Sequence, residues 1–143
     1  MKYICCHFSF ILLFLFAACS QSQPIPEWQT IYEGESEVSF RGISAVNDSI
    51  CWVSGSHGTI LRTLDGGKNW EHLSIEGADS LDFRDIETLS PDTAVIMSIG
   101  QGESSRVYRT ENGGHSWDLV HQNSYKDGFY DAIAFWDKKH GLL

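Results

Sequence analysis

The chain has 143 residues, with 10 Lys and Arg against 19 Asp and Glu and a formal net charge of −9. Such an acidic balance argues against nucleic acid or an anionic membrane surface as a partner, because both carry the same sign. Of the four cysteines, Cys5 and Cys6 are expected to leave with an N-terminal leader and Cys19 to be consumed by lipid, so Cys51 would have no partner for an internal disulfide.

The chain opens with Lys2 and an apolar run over residues 8–18, shorter than the ~20 residues a membrane-spanning helix needs, which reads as a leader. Phe16-Ala17-Ala18-Cys19 resembles a bacterial lipobox, with Phe16 where Leu is usual. Residues 1–18 are therefore expected to be a lipoprotein signal peptide, Cys19 the lipidated residue, and 19–27 a tether. Several acyl chains on one cysteine anchor stably where a single chain does not. This predicts a bacterial cell-envelope protein, on the periplasmic face or outer membrane, that meets the membrane through its lipid alone.

Residues 28–143 read as strands throughout. Trp28-Gln29-Thr30-Ile31-Tyr32 resembles Trp70-Glu71-His72-Leu73-Ser74 and is expected to be the fourth strand of a blade whose other strands are absent from this sequence. A first copy of four strands is predicted over 39–46, 49–55, 59–63 and 70–75, each rich in β-branched or aromatic residues and bounded by turn signals. A second follows over 82–89, 93–99, 106–110 and 117–121, with an insertion near 101–105. A third starts near 128, runs from Phe129 to Trp136, turns over 137–141 and ends just inside its second strand. Phe40-Arg41-Gly42-Ile43, Phe83-Arg84-Asp85-Ile86 and Phe129-Tyr130-Asp131-Ala132 align at spacings of 43 and 46 residues, the range of propeller blades.

Each full copy carries the same turn, Thr63-Leu64-Asp65-Gly66-Gly67-Lys68-Asn69-Trp70 and Thr110-Glu111-Asn112-Gly113-Gly114-His115-Ser116-Trp117. Its glycines supply positive φ, Asp65 or Asn112 accepts loop amides, Thr63 or Thr110 holds that acceptor, and Trp70 or Trp117 lies back across the hairpin. The pattern resembles the Asp-box, or bacterial neuraminidase repeat, with structural positions Thr63, Asp65, Gly67, Trp70 and Thr110, Asn112, Gly114, Trp117. The fold class is thus all-β: a partial β-propeller of about two complete blades, 39–77 and 82–123, plus the start of a third. A closed ring needs about four to eight blades. The sequence is therefore expected to be an N-terminal fragment of a larger parent, with Trp28–Tyr32 and the third-copy strands poorly paired and prone to aggregate through exposed edges.

Ser39-Phe40-Arg41-Gly42-Ile43, the run from Val53 to Thr63 and the Asp-Gly-Gly-x-x-Trp that follows resemble the propeller family of the photosystem II assembly and stability factor. The resemblance implies a seven-bladed, non-enzymatic platform that holds a partner protein during assembly through basic residues on one face. Arg41 and Arg84 match the family's recurrent arginine positions. Its photosynthetic partner is not carried over, because nothing in the sequence gives a thylakoid address.

Equivalent innermost-strand positions line the channel mouth, which places Arg41, Arg84 and Tyr130 in one ring as partner- or ligand-binding candidates. The plainer reading is that arginines and carboxylates on adjacent blades pair with each other. The functional one is that guanidinium forks meet an anionic ligand or a C-terminal carboxylate. Asp85 and Asp131 are weak candidates for a catalytic acid and base, the alternative being a glycan-active Asp-box hydrolase resembling sialidases or xyloglucanases. An oxidoreductase is less favoured, since no Gly-x-Gly-x-x-Gly follows a strand. No cofactor is implied. The acidic cluster Asp79, Asp82, Asp85 and Glu87 matches no calcium-loop spacing and the histidines no zinc spacing, so no metal is assigned. Cys51 reads as a buried strand residue with no recognisable base.

Overall fold

The computed structural model describes residues 27–143; the expected leader over 1–18 and Cys19 lie outside the described residues. The elements are β1 (Phe40–Ala45), β2 (Cys51–Gly55), β3 (Ile60–Thr63), β4 (Glu71–Leu73), β5 (Asp82–Ser90), β6 (Thr93–Ile99), a 3-10 turn at Gly102–Ser104, β7 (Arg106–Thr110), β8 (Asp118–Gln122), β9 (Ala134–Phe135) and β10 (Gly141–Leu142). They form two four-stranded antiparallel sheets, each in sequential order, and one two-stranded ribbon. Sequential pairing through short hairpins is what alternating strands punctuated by turn residues produce. The 3-10 turn fills the predicted insertion, where the hydroxyl of Ser98 donates to Ser104 O at 2.6 Å and that of Ser105 to Gly100 O.

The two sheets pack face to face. Trp52 and Ile60 from the first meet Phe83, Ile86, Ile96 and Tyr108 from the second in one buried cluster. Trp117 meets Trp52 edge-on at 6.1 Å, and Tyr108 meets Phe83 in the same way. The opposite face of the second sheet buries Val95, Met97 and Val107 against Ile133, with Tyr130 and Phe135 alongside. Each sheet is thus apolar on both faces, as stacked blades require. At about 25 cal/mol per Å² of apolar surface this burial is the main force joining them.

The third copy differs from expectation in extent and register. Residues 129–133 form no strand; the ribbon begins at Ala134. Pairing is Ala45↔Cys51 in the first copy, Thr88↔Ala94 in the second and Phe135↔Gly141 in the third. The second step is therefore 47 residues, one more than the alignment of the Phe-led motifs gave. Tyr130 consequently takes the place of Phe83, Asp131 that of Arg84, and Ile133 that of Ile86, which explains why Tyr130 and Ile133 enter the core. Packing decided the register here, because the apolar pair at i and i+3 had to face the second sheet.

At the other end, 27–35 adopt no strand, and Trp28 is 95% and Ile31 60% exposed.

Candidate functional site

The innermost strands β1 and β5 lie side by side. Ser44 Oγ and Thr88 Oγ1 are 2.7 Å apart, and the Thr88 N–H donates to the same Ser44 oxygen. Gly42 makes the approach possible: a Cβ there would stand 2.9 Å from Asp85 Cα and 2.9 Å from the Ile86 nitrogen. Directly before it, the β1–β2 register jumps from Phe40↔Gly55 to Gly42↔Ser54, leaving Arg41 as the extra residue of a bulge. The β5–β6 register jumps in the same way from Phe83↔Ser98 to Asp85↔Met97, leaving Arg84. A bulge takes a residue out of the ladder and re-aims its side chain. Both copies therefore carry a bulged arginine at the same place on adjacent innermost strands.

The two arginines differ in their surroundings. Arg41 is exposed and makes no ion pair among the described residues. Arg84 pairs with Asp131 at 3.1 Å, a contact 40% and 68% exposed on its two sides. Tyr130 stands apart from them. Its hydroxyl lies 2.6 Å from His121 Nε2 with the rings stacked, and its N–H donates to Ser105 Oγ.

The two carboxylates weighed as acid and base are both engaged. Asp85 accepts the Ile86 N–H at 3.0 Å through one oxygen and the Ile133 N–H at 2.9 Å through the other, stitching the second copy to the third. Asp131 holds Arg84. Burial, and then the Asp85 carboxylate, push Glu87 above the usual carboxylate range.

The two Asp-box turns have the same frame. Gly66 and Gly67 have φ of 71° and 85°, Gly113 and Gly114 of 73° and 87°. Thr63 Oγ1 accepts the Gly67 N–H at 2.9 Å and Thr110 Oγ1 the Gly114 N–H at 3.0 Å. Asp65 accepts the backbone N–H of Asn69 at 2.9 Å and its side-chain amide at 2.7 Å. Those bonds, the side-chain one first, hold its carboxyl down to about 2. In the second turn Asn112 accepts the Ser116 N–H and donates its amide to Ser116 Oγ at 2.8 Å. Trp117 donates its indole N–H to Gly114 O.

Arg62 carries a role the sequence reading missed. It is buried, 5% exposed, and donates across the blade boundary to Gly113 O at 3.2 Å, Pro91 O at 2.9 Å and Asp92 Oδ1 at 2.8 Å, with its guanidinium 4.9 Å from the Trp52 ring centre. The available signal was the repeated Arg-Thr before each Asp-box, Arg62-Thr63 and Arg109-Thr110.

Beside Arg41 the outer face of the first sheet forms a cleft of about 470 Å³, lined by Ile31, Tyr32, Phe40, Cys51 and Trp70 among others. Burial pushes the Cys51 thiol up, and its Sγ–H points to Trp52 O. Among the described residues no three metal-ligating side chains gather, and no helix is long and apolar enough to cross a membrane.

Tandem four-stranded sheets, stacked face to face and each closed by an Asp-box, define a β-propeller protein. The chain belongs to the family described as photosynthesis system II assembly factor YCF48, whose profile matches residues 25–143. It is 33% identical over 73 residues to the photosystem II assembly protein Ycf48 of Synechococcus sp. (strain JA-3-3Ab), covering 50% of this chain and 22% of that protein. It is 26% identical over 73 residues to the photosystem II assembly lipoprotein Ycf48 of Synechococcus sp. (strain CC9902), covering 47% and 19%. Among solved structures, YCF48 from Cyanidioschyzon merolae superposes with a TM-score of 0.60 at 19% identity, over 76% of this chain and 34% of that one. A structure of YCF48 bound to D1 peptide superposes with a TM-score of 0.56 at 22% identity, over 69% and 31%. The matched region thus spans about a fifth of the curated relatives and about a third of the solved chains.

Proposed function

We propose that this chain is part of a lipid-anchored, non-catalytic β-propeller that serves as a protein-binding or assembly platform at the bacterial cell envelope. The observation that carries the reading is the pair of equivalent bulges at Arg41 and Arg84. A ladder-breaking irregularity kept at the same register in two blades, and occupied by a bidentate cation in both, suits recognition of a carboxylate or another acidic group on a partner. That a relative in the family is known as bound to a peptide supports a protein as the partner class. The partner of this chain is unidentified, and the relative's own is not transferred to it.

Residues 1–18 are proposed as the leader, Cys19 as the lipidation site, 19–27 as the tether and 28–143 as propeller sequence. The description of one relative as a lipoprotein supports this anchoring. No observation favours a glycan as substrate over a protein partner. Both aspartates a hydrolase would need are engaged in blade-to-blade contacts. The test is co-purification of partners with the intact protein and with its Arg41→Ala/Arg84→Ala variant. Loss of a specific partner is expected, and unchanged recovery would reject the role of both arginines.

A further inference from the structure

Asn112-Gly113 is the only Asn-Gly pair in the chain. Such a pair is chemically labile, because the glycine nitrogen, with no Cβ beside it, can reach the asparagine side-chain carbonyl and close a cyclic succinimide. The Gly113 N–H proton would pass to a base, the bond from its nitrogen to Asn112 Cγ would form, and the Cγ–Nδ2 bond would break as ammonia leaves. Water then opens the ring at either carbonyl, giving aspartate from one and isoaspartate from the other. In sum a water is taken up and an ammonia released, with no other reactant. Solvent reaches the pair, since Asn112 is exposed and only Gly113 is buried. What stands in the way is bonding. The Gly113 N–H donates to Asp92 O at 2.9 Å, so the nucleophile is engaged. Asn112 Oδ1 accepts the Thr110 hydroxyl and the Ser116 N–H, both at 3.0 Å, and its amide donates to Ser116 Oγ at 2.8 Å. The side chain must give up all of these bonds before its Cγ can be attacked.

The turn is also held from outside. Arg62, on the first sheet, donates to Gly113 O at 3.2 Å and to Asp92 Oδ1 at 2.8 Å, and so grips both residues of the Gly113–Asp92 bond. A Cβ on Gly113 would meet its Nη1. We infer that Asn112 is a deamidation site held shut by the Arg62 clasp, so that its conversion records opening of the boundary between the first and second blades. The two products differ in consequence. Asp65 shows that a carboxylate fits this position, where it accepts the N–H and the side-chain amide of Asn69; the Ser116 hydroxyl can donate in the same way. Isoaspartate lengthens the main chain by a methylene directly before Gly113, and the carbonyl that Arg62 holds moves out of its reach. Deamidation by that branch would leave the boundary unable to close again.

The intact protein is aged at mildly alkaline pH, and the peptide holding Asn112 is followed by mass spectrometry, with isoaspartate counted by enzymatic methylation. Conversion in the folded protein is expected at least about tenfold slower than in the urea-unfolded protein, because it waits on an opening. A smaller difference would overturn the proposal, since the turn would not be shut. Arg62→Ala and the milder Arg62→Lys, whose single ammonium cannot span the fork, are each expected to speed conversion at least about threefold. A smaller rise in a folded variant would leave the protection to the turn's own bonds and overturn the part given to the clasp. Ile133→Ala loosens the opposite face of the second sheet, away from Arg62, and is expected to speed conversion less than about threefold. A larger rise would mean that global unfolding sets the rate, which would also overturn it. Of the two products, the isoaspartate form alone is expected to lose hydrogen-exchange protection at Gly113. Equal protection in both would overturn the difference drawn between them.

Discussion

Asn112 stands where Asp65 stands one blade earlier, and the two turns have the same backbone. One change lies in the side-chain bond to the residue four positions on, Asn69 or Ser116. The second oxygen of Asp65 accepts from the Asn69 amide, whereas Asn112 has an amide there and donates to Ser116 Oγ. The partner residue has changed with the acceptor, so only the first turn has an ionisable acceptor at this position. Its folded carboxyl is held at about 2, below the ordinary value of about 3.9. A depressed carboxylate contributes its stability in full above the unfolded value and loses it as pH falls through the folded one. The thermal midpoint of the intact protein should therefore fall more steeply than that of its Asp65→Asn variant between about pH 4 and pH 2. Equal slopes would show that Asp65 is not the acid-sensitive group. At Arg41 and Arg84, each Ala substitution in the intact protein should weaken partner binding by about 1.5–3 kcal/mol if each makes one charge-assisted bond, measured by titration calorimetry once a partner is recovered. Asp131 competes for Arg84 across an exposed ion pair, worth at most about 1 kcal/mol. Asp131→Asn should accordingly tighten binding by no more than about fivefold.

Between elements, the arginine in β3 does what apolar packing cannot. Trp52, Ile60 and their partners hold two sheets together without choosing a rotation, whereas Arg62 reaches three defined oxygens on the next blade. Removing it strands the carbonyls of Gly113 and Pro91. Arg62→Ala should cost about 2–3 kcal/mol, read as a lower urea midpoint, and Arg62→Lys should recover only part because a single ammonium cannot span the fork. The next arginine in the series, Arg109, pairs within its own blade with Glu111 at 2.7 Å. Lys139 follows Asp92 by the 47-residue step, so that boundary lacks the carboxylate Arg62 uses. Strand existence and order were legible at this scale within the two complete copies, because β-branched runs between Gly and Asn turns leave few alternatives, whereas the strands expected at 28–32 and 129–133 do not form. The register of the third copy was not legible. Phe129 resembles Phe83 in sequence, but it is Tyr130 and Ile133 that have the spacing to reach Val95, Met97 and Val107.

For the molecule as a whole, the proposed lipid anchor at Cys19 would set where the propeller works. Cys19→Ser should move the intact protein from the membrane to the soluble fraction while leaving partner recovery from detergent extracts unchanged, since the proposed lipidation site and the arginines lie on separate segments. A protein that stays with the membrane after this change would be held by something other than the proposed lipid.

Composition, the doubled Asp-box and the near-constant spacing were enough to establish an all-β chain of tandem blades, because positive-φ glycines and alternating apolar residues constrain backbone locally and repeat what they constrain. Which residues meet across blades was decided only in three dimensions. The Arg84–Asp131 pair, the Asp85 bond to Ile133 and the Arg62 clasp each join residues about 30 to 50 positions apart. Such contacts depend on how far one sheet slides and turns on the next, a balance of apolar packing that no local pattern records.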